Sequence, residues 1–301
     1  MGIQIYKPVI YLGNKEVFLR DILKNKSYDL KNKIGSERIH IETQKNILEM
    51  AIKVSKKCIN LYKIRPKFLI FVSQTQEKKL PSCAEELAYK CQIDQNCFAF
   101  TISSGCSGFV QSIYLANKLL SKKMNQGLIV CAEKYSNYIQ NNDLKTKLLF
   151  SDAASATFVK FSNSKNILKS YFGLDGKDSD SLQIIKDKKN KEILTMNGSK
   201  VFLFSIKNIP IILKKILKKN KYTKFYFIHP GSKILLDSLI KKSNIDYNKV
   251  PTSFHITGNT VSTSVPLLLK NNYNLIKKND ITLMSGFGVG LSHATILLKW
   301  I

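Results

Sequence analysis

Strand-like and helix-like stretches alternate along the 301 residues, and that alternation predicts an α/β architecture. Three observations carry the prediction. Short apolar runs such as Phe68–Val72, Phe98–Ile102 and Leu128–Ala132 have the length of buried strands. Helical patterns lie between them, and the chain after about residue 165 repeats the same grammar.

Taken in order, Phe68–Val72 is the first buried strand, and Pro81-Ser82 then opens a helix over Ala84–Lys90. Phe98–Ile102 leads into Ser103-Ser104-Gly105-Cys106-Ser107-Gly108 and a helix running to Lys123, with Phe109, Ile113, Ala116 and Leu120 on one face. Leu128–Ala132 and Ala153–Phe161 are further strands. In the second half a helix spans Val201–Lys219, where Pro210 is expected to kink or interrupt it. Phe225–Ile228 is a strand, Lys233–Lys242 a helix, Thr260–Asn271 a helix after a glycine turn, and Ile281–Met284 and Ala294–Lys299 strands. The polar segment Asp175–Lys191 reads as an exposed connection. The boundary between halves falls near Ser162–Lys165, giving units 1–162 and 163–301.

Composition narrows the function classes. A hydrophobic content of 44% is ample for a large core. No apolar run approaches the roughly 20 residues of a membrane helix, and the start lacks a secretory pattern, so a soluble cytoplasmic protein without a membrane partner is expected. Six cysteines, all in the first half and without C-x-x-C spacing, argue against a disulfide framework or a metal site. The net charge of +27 invites a nucleic-acid reading, but the lysines are spread along the whole chain and travel with asparagine and isoleucine. That distribution is a compositional bias, not a basic stripe, so no nucleic-acid partner is expected. A basic surface permits acidic partners without identifying one.

Three constellations carry chemistry. Cys106 sits in a small-residue turn between strand and helix, where free N–H groups and the helix dipole are expected to lower a thiol pKa; the bland alternative is a buried cysteine in a tight turn. His229 ends an apolar strand before Pro230-Gly231, a place where α/β folds put functional side chains, although core histidines occur there too. Asn259, in Gly258-Asn259-Thr260, offers an amide that stays neutral at every pH, or simply caps the following turn.

Cys106 in S-G-C-S-G-F, His229 in H-P-G-S and Asn259 in G-N-T-V-S-T-S-V-P occur in the order found in β-ketoacyl-acyl-carrier-protein synthase III, which the chain resembles from about Gly35 to Trp300. Further matches are Ile34-Gly35 with Arg38 and His40, Phe150–Ala156, Met196-Asn197-Gly198 before Val201-Phe202, and Phe287-Gly288-Val289-Gly290. The resemblance implies the thiolase fold, two βαβαβαββ halves layered α/β/α/β/α, as a homodimer. It implies that Cys106 accepts an acyl group from a thioester, while His229 and Asn259 bind the carbonyl of a malonyl thioester whose decarboxylation drives a Claisen condensation. It makes the N–H of Cys106 and one from the Phe287–Gly290 loop the oxyanion donors, and sets Leu80 and Met196 in the acyl pocket wall, with Gly198, Phe287, Gly288 and Val289 as further substrate-binding residues. No tightly bound cofactor or metal is implied; coenzyme A or acyl carrier protein thioesters are substrates, and acyl carrier protein is the expected partner. The cysteine, histidine and asparagine together separate this branch from thiolases, which need a second cysteine in the glycine loop, and from the elongating synthases, which use a second histidine. Acyl transfer to a hydroxyl or amine, and a type III polyketide synthase-like reaction, are the alternatives. The chain departs from the family at Pro230-Gly231-Ser232, where Q-A-N is usual, at Ser199, where asparagine is common, and in having Trp300 as its only tryptophan. The donor, acyl-CoA or acyl carrier protein, therefore stays open.

Overall fold

The computed structural model describes residues 1–23, 32–78, 80–218, 220 and 222–301. Among these, two sheets form the frame. The first contains β5 (Phe68–Val72), β6 (Phe98–Ile102), β7 (Gln126–Glu133) and β8 (Ala153–Ser162), with β1 (Gly2–Ile5) and β2 (Val9–Leu12) both pairing with β8. β5 runs parallel to β6 and β7, whereas β7 and β8 are antiparallel. The second sheet runs β12 (Thr223–Ile228), β13 (Ile281–Gly288), β14 (Ser292–Lys299), β9 (Ile167–Leu174). Two antiparallel pairs flank them, β3 (Lys15–Phe18) with β4 (Arg38–Ile41) and the hairpin of β10 (Leu182–Lys186) with β11 (Glu192–Met196).

The period of two along each strand explains the layering. All five residues of β5 are buried; Phe68, Ile70 and Val72 face the central layer, while Leu69 and Phe71 face an outer one. In β12, Phe227 faces the centre, and Tyr226 and Ile228 face the opposite side. The central layer is filled by α4 (Gly105–Leu119), through Phe109, Val110, Ile113 and Ala116, and by α9 (Ser264–Asn272), through Val265, Leu268 and Leu269. Helices α2 (Ile47–Tyr62) and α3 (Cys83–Lys90) cover the first sheet, and α6 (Gly198–Leu217) and α7 (Lys233–Ser243) cover the second. Short helices α1 (Leu19–Leu23), α5 (Leu144–Lys147) and α8 (Phe254–Thr257) lie in the connections. The result is α/β/α/β/α.

Several expectations need correction. The helix after Cys106 stops at Leu119, because Leu120 turns extended, yet Leu120 remains fully buried. Pro210 does not interrupt α6. It removes one helical N–H, but Ile209, Pro210 and Leu213 are buried against the sheet, and packing carries the helix through. The predicted last residue of that helix, Lys219, lies outside the described residues. Val261–Thr263 form a 3-10 turn before α9 starts at Ser264, so the helix begins later than expected. The segment Asp175–Lys191 is not simply an exposed connection: it holds a 3-10 turn and β10, whose Leu182 is buried. Among the described residues no helix is long and apolar enough to cross a membrane.

Because Phe109 is fully buried in α4 between the two sheets, Phe109→Ala is expected to cost about 3–5 kcal/mol. Chemical denaturation of both proteins measures it; a loss below about 1 kcal/mol would contradict the central placement of this helix.

Candidate active site

Cys106 is the second residue of α4, where first-turn N–H groups have no carbonyl within the helix to bond. It is 4% exposed. The end of β13 presses against it. A β-carbon on Gly286 would lie 2.2 Å from the Cys106 carbonyl oxygen, and one on Gly288, whose φ is +151°, would lie 3.3 Å from Sγ. Only a residue without a side chain allows the strand this near the sulfur. Burial, and after it the nearby Glu133 carboxylate, push the Cys106 thiol well above its ordinary pKa, while its own backbone N–H pulls the other way. The expected lowering by the helix terminus is thus overturned: a fully desolvated thiol loses more from burial than it gains there.

His229 follows the last residue of β12 and is fixed by its N–H donating to the Ser285 carbonyl at 2.8 Å. Its ring meets Phe287 edge to face, 5.6 Å between centroids. Burial lowers its pKa to about 3, so the imidazole is neutral, and among the described residues its Nδ1 has no hydrogen-bond partner. Asn259 is held on both sides of its amide: Oδ1 accepts from the Val261 N–H at 2.9 Å, and Nδ2 donates to the Gly231 carbonyl at 3.1 Å. Its backbone bridges to the first half, accepting from the Ser151 N–H and donating to the Leu149 carbonyl, both at 2.9 Å. Val261, a β-branched residue, takes φ of +50°, a conformation that costs on the order of 1–3 kcal/mol and tends to persist at functional sites.

These three side chains line one cavity of about 230 Å³. Met196, Gly198, Phe287 and Gly288 line it as well. Leu80 does not join them within this chain, being 90% exposed just before α3, and Val289 lines an adjoining cavity instead. His255 and His40 stay outside the lining: the His40 ring lies 3.2 Å from the Ile256 carbonyl. Trp300 is buried in the central layer, its indole N–H donating to Thr282 Oγ1. No cluster of three histidine, cysteine or acidic side chains that could hold a metal occurs among the described residues.

Two carboxylates escaped the sequence reading. Asp152 accepts from the Glu42 and Ser136 N–H groups and from Ser136 Oγ, tying the F-S-D segment to β7's exit. Glu133, fully buried at the end of β7, accepts from the Gln74 N–H, from Thr75 Oγ1 at 2.9 Å and from Ser262 Oγ at 3.4 Å. Burial pushes it up to about 8. Their only sequence signal is a charged residue at the end or start of an apolar strand.

A cysteine at the entrance of a buried central helix, closed in by a glycine-rich strand end and faced by His and Asn from the second half, places this chain among thiolase-fold proteins, and the comparisons agree. The family model for 3-oxoacyl-[acyl-carrier-protein] synthase III matches residues 100–176, and that for its C-terminal part matches residues 209–300. The chain belongs to the 3-oxoacyl-[acyl-carrier-protein] synthase III family. It is 27% identical to the β-ketoacyl-[acyl-carrier-protein] synthase III of Clostridium tetani, over 98% of this chain and 96% of that one. The crystal structure of a 3-oxoacyl-(acyl-carrier protein) synthase from Burkholderia xenovorans is 26% identical, with a TM-score of 0.91 over 100% of this chain and 94% of that one. That of Aquifex aeolicus synthase III is 25% identical, with a TM-score of 0.90 over 99% and 100%.

Glu133 is neutral below about pH 8 and negative above it, and only the negative form opposes a Cys106 thiolate. Iodoacetamide alkylation of Cys106, followed by mass spectrometry, is therefore expected to be slow at pH 7. Glu133→Gln should leave the pH 7 rate near wild type but raise it about tenfold at pH 9, one unit of thiol pKa. Equal rates of the two proteins at pH 9 would rule out the coupling.

Proposed function

We propose that the chain is a decarboxylating condensing enzyme that joins an acyl thioester to a malonyl thioester through an acyl-Cys106 intermediate. The observation that carries this reading is the convergence of Cys106, His229 and Asn259 on one buried cavity whose other wall is the glycine end of β13. In the first half-reaction the Cys106 sulfur attacks the donor carbonyl, and the thiol proton leaves with the departing thiol. The N–H of Cys106 and one from the Phe287–Gly290 loop stabilise the tetrahedral oxyanion. In the second, a malonyl thioester places its carbonyl oxygen against His229 and Asn259. Loss of carbon dioxide leaves an enolate, whose carbon attacks the acyl-Cys106 carbonyl. The carbon–sulfur bond breaks, the thiolate takes a proton from the medium, and a β-ketoacyl thioester departs.

Neutral donors suit the enolate. His229, with its pKa lowered to about 3, and Asn259 offer hydrogen bonds without a charge that would hold the malonyl carboxylate in place. Met196, Gly198 and Phe287 are assigned to the substrate walls. Lysines gather near the mouth: Lys145 in the cavity lining and Lys241 along the adjoining groove, where Lys233 is ion-paired with Asp237. Their charge fits the phosphate of coenzyme A or of a carrier protein's pantetheine arm, and an acidic carrier protein as partner. No tightly bound cofactor enters the reaction.

Incubation with short acyl-CoA and acyl carrier protein donors, read by intact-protein mass spectrometry, tests the first step. A single adduct is expected, absent from Cys106→Ala, and failure of every donor would remove the proposal's foundation. Asn259→Ala should keep the adduct while malonyl decarboxylation falls about 10²–10³-fold. The decarboxylation rate should show no histidine titration between pH 5 and 8, because His229 is already neutral throughout. An ester or amide product without carbon dioxide release would favour acyl transfer instead.

The assembly proposed is a homodimer. β6 is the open edge of the first sheet, Phe98 is half-exposed there, and Leu80 stands exposed before α3, which packs beside β6. Pairing of this edge between two copies would satisfy its free backbone groups and cover both side chains. Light scattering on the purified protein should give twice 34.2 kDa, and Phe98→Lys should shift the population toward the monomer.

A further inference from the structure

The N–H groups assigned to the oxyanion come from two separate pieces of chain, the first turn of α4 and the Phe287–Gly290 loop. Far apart in sequence, they keep register only through contacts across the gap. Ser107, the residue after the nucleophile, is 1% exposed. Its Oγ accepts from Gln111 Nε2, one turn further along α4, at 3.1 Å and lies 3.0 Å from Ser292 Oγ, at the start of β14. Ser292 Oγ donates to the Val289 carbonyl, inside the loop, at 2.9 Å. Among the described residues, the Ser107–Ser292 contact is the one hydrogen bond between α4 and residues 286–292. Proton counting gives this chain of bonds a direction, since each hydroxyl has one proton to donate. The Ser104 carbonyl lies 3.0 Å from Ser107 Oγ but already accepts the Ser107 N–H at 3.2 Å. Only one order puts a proton between the two hydroxyls and still bonds the Val289 carbonyl: Gln111 to Ser107, Ser107 to Ser292, Ser292 to Val289. The far side of the loop is held separately. Leu291 exchanges backbone hydrogen bonds with Asp175 at 2.8 and 3.2 Å, tying it to the chain just after β9. Gly290, with φ of +124°, lies against Ser292, where a β-carbon would come within 3.1 Å of both side-chain atoms.

We propose that Ser107 and Ser292 are positioning residues for acyl transfer: their paired hydroxyls hold the Phe287–Gly290 loop in register with the first turn of α4, so that N–H groups from both pieces converge on one oxyanion. The inference rests on the reading of Cys106 as the acyl acceptor and adds two residues that act through the loop, since neither lines the Cys106 cavity. The physical reason is the sensitivity of such a site to distance. An oxyanion donor works at about 2.7–3.1 Å, and a displacement of about 1 Å can cost 10²-fold in rate. Apolar contact between helix and loop would leave them free to slide, whereas a hydrogen bond has a preferred length and angle. Anchoring the Val289 carbonyl also fixes the peptide planes on either side of it, and with them the direction in which the loop N–H groups point. A hydroxyl as deeply buried as that of Ser107 costs stability unless it is bonded, so Ser292 and Gln111 satisfy it while tying the two pieces together.

The test compares two reactions at the same sulfur in wild type, Ser107→Ala, Ser292→Ala, the double variant and Ser292→Thr. Acylation by acetyl-CoA or acetyl-acyl carrier protein passes through a tetrahedral oxyanion; alkylation by iodoacetamide, a displacement at saturated carbon, does not. Each single alanine variant is expected to lower the acylation rate at saturating donor about 10-fold with KM little changed, while the alkylation rate stays within about twofold of wild type. The double variant should be no slower than the slower single one, because the two hydroxyls act as a unit. Ser292→Thr, which keeps the hydroxyl, should recover most of the loss. Should Ser107→Ala fail to fold, judged by circular dichroism, Ser292→Ala and Ser292→Thr decide. Unchanged acylation in the folded alanine variants overturns the inference. So does an equal fall in acylation and alkylation, which would mark a general disturbance of Cys106, and so do losses that multiply in the double variant. A wild type that is alkylated but forms no adduct with either donor fails earlier, on the acyl-acceptor reading itself.

Discussion

The close approach of the β13 glycine end to the first turn of α4 is the constraint on which the rest of the site depends. Helix α4 lies between two sheets, so its N-terminus cannot face water; it must face protein. Gly286 lets the strand pass where a side chain would collide with the Cys106 backbone, and Gly288 brings it into close contact with the sulfur. That contact seals the sulfur on one side. The remaining sides must be supplied by chain segments that leave the sheets at the same level, namely Phe150 before β8, His229 after β12 and Asn259 before α9. The cavity is therefore a product of strand ends from both sheets converging on one helix terminus, as open α/β sheets commonly arrange.

Burial at that point dictates the electrostatics. Cys106 and Glu133 are pushed up and His229 down, each toward its neutral form and each chiefly by desolvation. Around the sulfur, these three groups are therefore uncharged at neutral pH. A reaction in which negative charge appears only in passing, on an oxyanion or an enolate, fits such a place: fixed N–H dipoles act strongly where water is excluded. The same reasoning accounts for the asparagine. Its amide is locked by the Val261 N–H and the Gly231 carbonyl, and the left-handed turn at Val261 is the strain that this locking requires.

Much of the frame was legible in the sequence because central strands of a layered fold are apolar on both faces. Phe68–Val72 is read to the residue as a strand buried on both faces. Phe98–Ile102 is read to the residue as well, although it is an edge strand, with Phe98 exposed and the rest partly buried. Other strands were not: β1 to β4 and β9 to β11 are short or mixed in polarity, and several depend on partners far along the chain, as β9 does on β14 and β2 on β8. The misreading of Asp175–Lys191 has this origin, because Leu182, Ile184 and Ile185 are the only apolar side chains in a charged stretch and the pairing of β10 with β11 is what turns Leu182 inward. The positions of Cys106, His229 and Asn259 were legible through small-residue turns at strand and helix ends. Their pKa directions were not, since desolvation by residues 30 to 180 positions away leaves no local mark, and Glu133 and Asp152 were invisible for the same reason.

The Tyr135–Phe150 side and the Asn259 side of the cavity are one mechanical unit. Phe150 is flanked by Leu149 and Ser151, whose backbones exchange hydrogen bonds with Asn259, while its ring rests on Tyr135. Two residues before Tyr135, Glu133 accepts from Gln74 and Thr75 on one side and from Ser262 on the other. Residues 74–75, 133–135, 149–151 and 259–262 thus close a loop of contacts around the sulfur. A ring of this kind resists independent adjustment: moving Tyr135 aside shifts Phe150, and with it the backbone that aims the Asn259 amide. The Tyr135–Phe150 packing and the aim of the Asn259 amide are therefore coupled through Phe150, and a change at either is felt at the other.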